Sequence, residues 1–165
     1  MDGKKVARRG KSLRRIMVLV IASDHAGFEG KELIKKVLEE NKVPYKDFGP
    51  ATNGRVDYPE YGASVAGAVS KGEAERGILV CGSGIGMSIV ANKFPRVRAT
   101  LAYDKYTAEM SRQHNDSNVL VVGGRTTKPE TIKEIVNIWL KTGFDGGRHA
   151  DRILQIEELE KKLMK

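Results

Sequence analysis

The sequence predicts an α/β protein: a three-layer α/β/α sandwich built on a five-stranded parallel sheet. Two observations carry this. From residue 17 onward, strand and helix patterns alternate five times, and strands separated by whole helices pair in parallel through crossovers that cover the sheet with helical layers. The first strand, residues 17–22 (Met-Val-Leu-Val-Ile-Ala), is apolar at every position, as a strand buried on both faces requires.

The remaining elements follow in order. Residues 28–40 read as an amphipathic helix with Leu33, Ile34, Val37 and Leu38 on one face. A weaker, alternating strand covers 43–48. Pro59 at the start and Gly72 at the end bracket a second helix, with Ala63, Val65, Ala66 and Val69 inside it. Strands at 77–81, 97–103 and 119–122 are joined by helices at 87–94 and 104–113. A further helix runs from Lys128 or Pro129 to residue 141. The last helix, 148–165, sets Ile153, Ile156, Leu159 and Leu163 along one stripe, which either covers its own sheet or lies in a dimer interface. Residues 17–165 therefore form one Rossmann-like domain with no internal repeat.

Composition narrows the function classes. A single cysteine, Cys81, excludes an internal disulfide and a cysteine-cluster metal site, which points to a reducing, cytoplasmic setting. His25, His114 and His149 lie far apart with no ligand spacing, so no metal is expected. No apolar stretch is long enough for a membrane span. The net charge of +8 is unevenly spread: residues 1–15 hold seven basic side chains and one acid, and the other 150 residues hold 22 basic and 20 acidic ones. The basic character thus belongs to residues 1–16, read as a disordered extension or an upstream start ahead of Met17. Nucleic acid is not the expected partner of the nearly neutral body.

The richest segment is Ile78-Leu79-Val80-Cys81-Gly82-Ser83-Gly84-Ile85-Gly86-Met87. A buried strand ends in a thiol, three alternating glycines open a loop, and a helix begins. That arrangement gathers backbone N–H groups around one spot, suiting an anion or a developing oxyanion, and favours the thiolate. The glycine loop lacks the ending of a phosphate-binding P-loop and the spacing of a dinucleotide fingerprint. Ligands of open parallel sheets bind at the carboxyl ends of strands. Asp24-His25, residues 81–86 and Gly123-Gly124-Arg125 follow strands one, three and five, so they are expected to wall one crevice. Asp24 also suits a plain helix cap. His114-Asn115 ends the helix leading into strand five, which puts it at the opposite edge; any work it shares with Cys81 is expected across a subunit interface. Arg148 and Arg152 stand one helical turn apart, ready to clamp a phosphate or carboxylate.

Taken in order, Ser23-Asp24-His25-Ala26-Gly27-Phe28, Val56-Asp57-Tyr58-Pro59, residues 81–87 with Ala91-Asn92-Lys93, Ser111-Arg112-Gln113-His114-Asn115-Asp116 and Phe144-Asp145-Gly146-Gly147-Arg148-His149 resemble the type B ribose-5-phosphate isomerase family, which includes the galactose- and allose-6-phosphate isomerases. The match covers the chain except its basic extension. The resemblance implies a cofactor-free aldose–ketose isomerase, an intramolecular oxidoreductase of the pentose phosphate pathway that passes through a cis-enediolate. Cys81 would move the proton between C2 and C1, since this chain has the cysteine and carries Met87 where another branch has glutamate. Ser83 would assist it. Gly82, Gly84, Ile85, Gly86 and Asn115 would hold the enediolate oxygens, and Tyr58 would line the sugar pocket. His114 with Asp24 would open the furanose ring, and His25, Arg125, Arg148 and Arg152 would bind the phosphate. A homodimer or tetramer with shared sites is implied. A six-carbon sugar phosphate remains a rival substrate. A non-enzymatic sugar-phosphate sensor, or a nucleic-acid binder using the basic extension, remains a rival function.

Overall fold

Five strands run side by side in the order β2-β1-β3-β5-β4, every neighbouring pair parallel. They are β1 (Leu19–Ser23), β2 (Tyr45–Asp47), β3 (Arg76–Cys81), β4 (Ala99–Leu101) and β5 (Val119–Gly123). Between and after them come α1 (Phe28–Glu40), α2 (Tyr58–Ser70), α3 (Ile85–Ala91), α4 (Lys105–Gln113), α5 (Pro129–Lys141) and α6 (Arg148–Leu163). These elements come from a computed structural model that describes residues 18–164. The expected disordered extension over residues 1–16 lies outside the described residues, as do Met17 and Lys165.

The alternation of side chains along each strand divides the core in two. Leu19, Ile21, Ile78, Val80, Leu120 and Val122 point to one face and are covered by Ile34, Val37 and Leu38 of α1 and Ile132, Ile135, Val136 and Trp139 of α5. Val20, Ala22, Leu79, Cys81, Val119 and Val121 point to the other, against Val65, Ala66 and Val69 of α2 and Met87 and Ala91 of α3. The three-layer sandwich is thus built as the alternation requires. Among the described residues no helix is long and apolar enough to cross a membrane.

Four elements depart from expectation. β2 and β4 are edge strands of three residues, shorter than the stretches 43–48 and 97–103, because each has a partner on one side only. α3 starts two residues early, at Ile85, and stops at Ala91. The Asn92 side chain then exchanges two hydrogen bonds of 2.9 Å with the backbone of Ala99, which draws the chain out of the helix before Phe94. In α6 only His149 and Ile153 are buried, while Ile156, Leu159 and Leu163 are 49%, 57% and 82% exposed. The apolar stripe of α6 therefore does not cover the sheet of its own chain.

α1 hides a charge that its sequence pattern does not announce. Lys31 is fully buried, and its ammonium donates to both oxygens of Asp47 (2.9 and 3.1 Å) and to the Pro50 carbonyl (2.6 Å). A buried cation must find such partners, because its desolvation is costly. The contact ties α1 to the end of β2 and to the segment that leads toward α2. Burial pushes the Asp47 carboxyl up, but hydrogen bonds from Lys31, the Gly49 N–H and Lys35 outweigh it and leave the group below its ordinary value.

Asp47→Asn is expected to cost about 1–3 kcal/mol at neutral pH, since it weakens the partner of a buried ammonium. The folded-state carboxyl sits below its unfolded value of about 4, so its contribution is present above that value and disappears as pH falls through the folded one. Denaturant unfolding of both proteins between pH 7 and pH 2 checks this: the stability gap should close in acid.

Candidate active site

β1, β3 and β5 end side by side, and the loops that leave them are laced together. The Asp24 N–H donates to the Val80 carbonyl (3.1 Å), Gly124 to Cys81 (2.7 Å) and Arg125 to Gly82 (2.9 Å). Cys81, the last residue of β3, is 5% exposed, and the Gly84 N–H donates to its sulfur at 3.2 Å. One amide of the loop that follows β3 is therefore directed at the sulfur. Ser83 is exposed beside it, its hydroxyl accepting from the Ile85 N–H at 3.3 Å.

Gly84 sets the shape of this turn. Its φ of +80° belongs to the left-handed region, and a Cβ there would stand 2.4 Å from the Leu101 side chain and 3.2 Å from the Val122 backbone. Gly82 is different: a Cβ would meet only Ala26 at 3.5 Å and the Arg125 side chain at 3.7 Å, both ordinary contacts.

The neighbouring loops supply the polar walls. Asp24 is buried, and its carboxylate accepts from the Gly27 N–H at 2.8 Å, closing the turn ahead of α1. Asp24 therefore closes the turn before the helix and is not its cap, which is Gly27 with no side-chain cap hydrogen bond. His25 Nδ1 lies 3.0 Å from the Val56 carbonyl oxygen, linking the β1 loop to the segment before α2. Tyr58, at the start of α2, places its ring where a Cβ on Gly86 would be 2.6 Å away, so it flanks the glycine loop. Asp24, His25, Tyr58, Cys81, Gly82, Ser83, Gly84, Ile85, Gly86 and Arg125 consequently share one region at the carboxyl end of the sheet.

His114, Asn115, Arg148 and Arg152 are not brought to it. His114 caps the carboxyl end of α4, and the turn after it leads into the amino end of β5. The five residues of β5 separate this turn from the Cys81 loop by about 16 Å at the usual rise per residue. Arg148 and Arg152 are exposed at the start of α6. The segment before them is tied to α4 by the Asp145 N–H, which donates to the Gln113 carbonyl at 3.0 Å.

His149 joins this second group, although no spacing in the sequence marks it beyond its place between the two arginines. Its ring stacks on His114 with centroids 4.2 Å apart and planes 6° from parallel. Burial pushes the His149 imidazole below its ordinary value, and the charges of His114, Arg148 and Arg152 add to that while Asp145 opposes it. His114, Asp145 and His149 each bring a ligand atom within 4.8 Å of the others. The two rings lie face to face, so their in-plane lone pairs run side by side instead of converging on one ion.

Comparison with known proteins places the chain among sugar-phosphate isomerases. The family model described as Ribose/Galactose Isomerase matches residues 19–156. Ribose-5-phosphate isomerase B of Escherichia coli (strain K12) is 44% identical over 144 residues, covering 87% of this chain and 97% of that protein. The structure of Clostridium thermocellum ribose-5-phosphate isomerase B superposes with a TM-score of 0.86 at 46% identity, covering 89% of this chain and 99% of that one. The ribose-5-phosphate isomerase B of Mycoplasma genitalium, solved with bound ribulose-5-phosphate, gives a TM-score of 0.84 at 37% identity, with 88% and 97% covered.

The two loop glycines carry opposite expectations. Gly84→Ala should lose about 1–3 kcal/mol through backbone strain and its clash with Leu101, whereas Gly82→Ala should stay within about 0.5 kcal/mol of the parent. Thermal or denaturant unfolding of the pair separates them, and equal losses would contradict the geometry.

Proposed function

The chain belongs to the ribose/galactose isomerase family, and from that premise we propose that it interconverts D-ribose 5-phosphate and D-ribulose 5-phosphate as an aldose–ketose isomerase of pentose phosphate metabolism. The observation that carries this reading is the Cys81 sulfur, buried at the end of β3 and already engaged by the Gly84 N–H. A base next to a cluster of amides is what proton transfer beside a carbonyl needs.

The chemistry runs in four steps. His114, with Asp24, moves protons so that the furanose opens to the aldehyde. Cys81, as the thiolate, takes the proton from C2, and the electron pair moves into a cis-enediolate across C1 and C2. The backbone amides of Gly82, Gly84, Ile85 and Gly86, together with Asn115, hold the two oxygens while the charge resides there, and Ser83 assists beside the sulfur. A proton passes from the C2 hydroxyl to the C1 oxygen, and Cys81 then returns its own proton to C1, which leaves a hydroxyl on C1 and the ketone at C2. Tyr58 lines the sugar pocket, and His25, Arg125, Arg148 and Arg152 bind the phosphate away from the reacting carbons. No cofactor enters any step.

A homodimer completes the site. His114, Asn115, Arg148 and Arg152 sit at the amino end of the sheet, and Cys81 at the carboxyl end. A second copy that brings its own His114 group to this Cys81 joins the two halves, and the exposed stripe of α6 is an apolar face suited to a partner subunit. The lone cysteine fits a reducing, cytoplasmic setting.

Cys81→Ala is expected to lower kcat by about 100-fold or more, the usual worth of a positioned acid–base group, while inorganic phosphate binds as in the parent. Substantial residual turnover would remove Cys81 from the base role. Mixing Cys81→Ala and His114→Ala proteins should restore about a quarter of parental activity after random subunit exchange, because half the dimers then hold one intact shared site of two. No recovery despite confirmed exchange would argue against a shared site. Turnover of ribose, allose and galactose phosphates by the parent ranks the substrates.

A further inference from the structure

The His114-Asn115 turn is held by groups to which the proposed chemistry gives no part. Asp116, the next residue, has φ +44°, a left-handed value uncommon for residues with a side chain though less so for Asp, and its surroundings hold it in place. Those surroundings are two arginines. Arg112 Nη1 donates to one carboxylate oxygen of Asp116 at 2.7 Å, and Arg98 Nη2 donates to the other at 3.2 Å. Arg98 also donates to the Asp116 carbonyl from Nε and Nη2 (3.1 and 3.0 Å), and its Nε reaches the Asn115 carbonyl at 3.0 Å. Every backbone carbonyl from Asn115 to Ser117 thereby receives a guanidinium, because Arg112 Nη1 donates to Ser117 at 2.7 Å.

Arg112 reaches further. It is 5% exposed, its guanidinium stands 5.9 Å from the centre of the Trp139 ring, and its Nε donates to the Thr142 carbonyl at 3.3 Å. Thr142 opens the segment that runs to Arg148 and His149. One buried guanidinium therefore holds both stretches of chain that meet in the His114–His149 stack. A bidentate, planar donor suits this task, and its burial makes each of its acceptors matter.

We infer that Asp116, clamped between Arg98 and Arg112, is a positioning residue: it fixes the left-handed turn that aims the His114 ring at His149 and presents Asn115. The inference rests on the reading that His114 and Asn115 serve the reacting sugar, but the aim of the ring can be measured without turnover. Asp116 acts through its neighbours, so its loss should move the stack and the chemistry while leaving the distant Cys81 loop in place.

The test is Asp116→Asn in the full chain, which keeps an acceptor and a side chain tolerant of positive φ but removes the charge. Asp116→Gly is the second variant, free of backbone strain and also without the carboxylate. Histidine ring resonances are read by NMR, with thermal unfolding alongside. The resonances of His114 and His149 should shift in both variants while that of His25 stays in place. Unmoved His114 and His149 signals in a folded variant would overturn the proposal. In turnover of ribose 5-phosphate, kcat should fall about tenfold or more with KM within about twofold, as expected for a misaimed group. Adding Asp116→Asn to His114→Ala should then cost much less than it does in the parent. Fully multiplying losses would mean that Asp116 acts on stability alone, which also overturns it. If the parent does not turn over ribose 5-phosphate, the functional reading fails, and the NMR result still decides the clamp.

Discussion

All five strands of the sheet run the same way, and every other feature of the candidate site follows from that direction. Parallel pairing sends each chain back across the sheet through a helix, so the loops after β1, β3 and β5 open at one end and the helices return at the other. Asp24, Cys81 and Arg125 owe their proximity to this, although they are scattered along the sequence. The same constraint sends the carboxyl end of α4, with His114 and Asn115, to the far edge. The chain thus presents two clusters of polar residues, each ordered by its own contacts, on opposite ends of one layer.

The two halves are built by different means. At the carboxyl end the backbone does the shaping: a left-handed glycine, short links between loops and an amide directed at the Cys81 sulfur. At the amino end charged side chains do it, with Arg98 and Arg112 holding the Asp116 turn and Arg112 anchored over Trp139. The difference suits the proposed roles. A developing oxyanion is best met by fixed amides that need no rearrangement. In the proposed dimer, a histidine that reaches into a second subunit's site is aimed from a turn, and the two arginines stiffen that turn from behind.

Much of the fold was legible because central strands must be apolar throughout and helices must be apolar on one face. β1, β3 and β5 announce themselves in this way, as do α1 and α5. The edge strands β2 and β4 were harder to bound, since their length depends on one neighbour's pairing and not on their own composition. The Cys81 loop was legible from local chemistry, the thiol next to alternating glycines. Three features were not. Lys31 looks like a solvated charge on α1 until the carbonyl of Pro50 and the carboxylate of Asp47 are seen around it. His149 gains meaning only by stacking on His114, a residue 35 positions away. The place of Arg148 and Arg152 beside His114, away from Arg125, depends on how α5 hands the chain to α6, which periodicity does not encode.

In the proposed dimer one chain holds two halves of different sites, so activity belongs to the assembled pair. Specific activity followed as the protein is diluted through dissociation of its subunits, with mass measured on the same samples, tests it most directly. Activity should track the fraction of associated chains and vanish with the monomer. A folded monomer that keeps full specific activity would contradict the account.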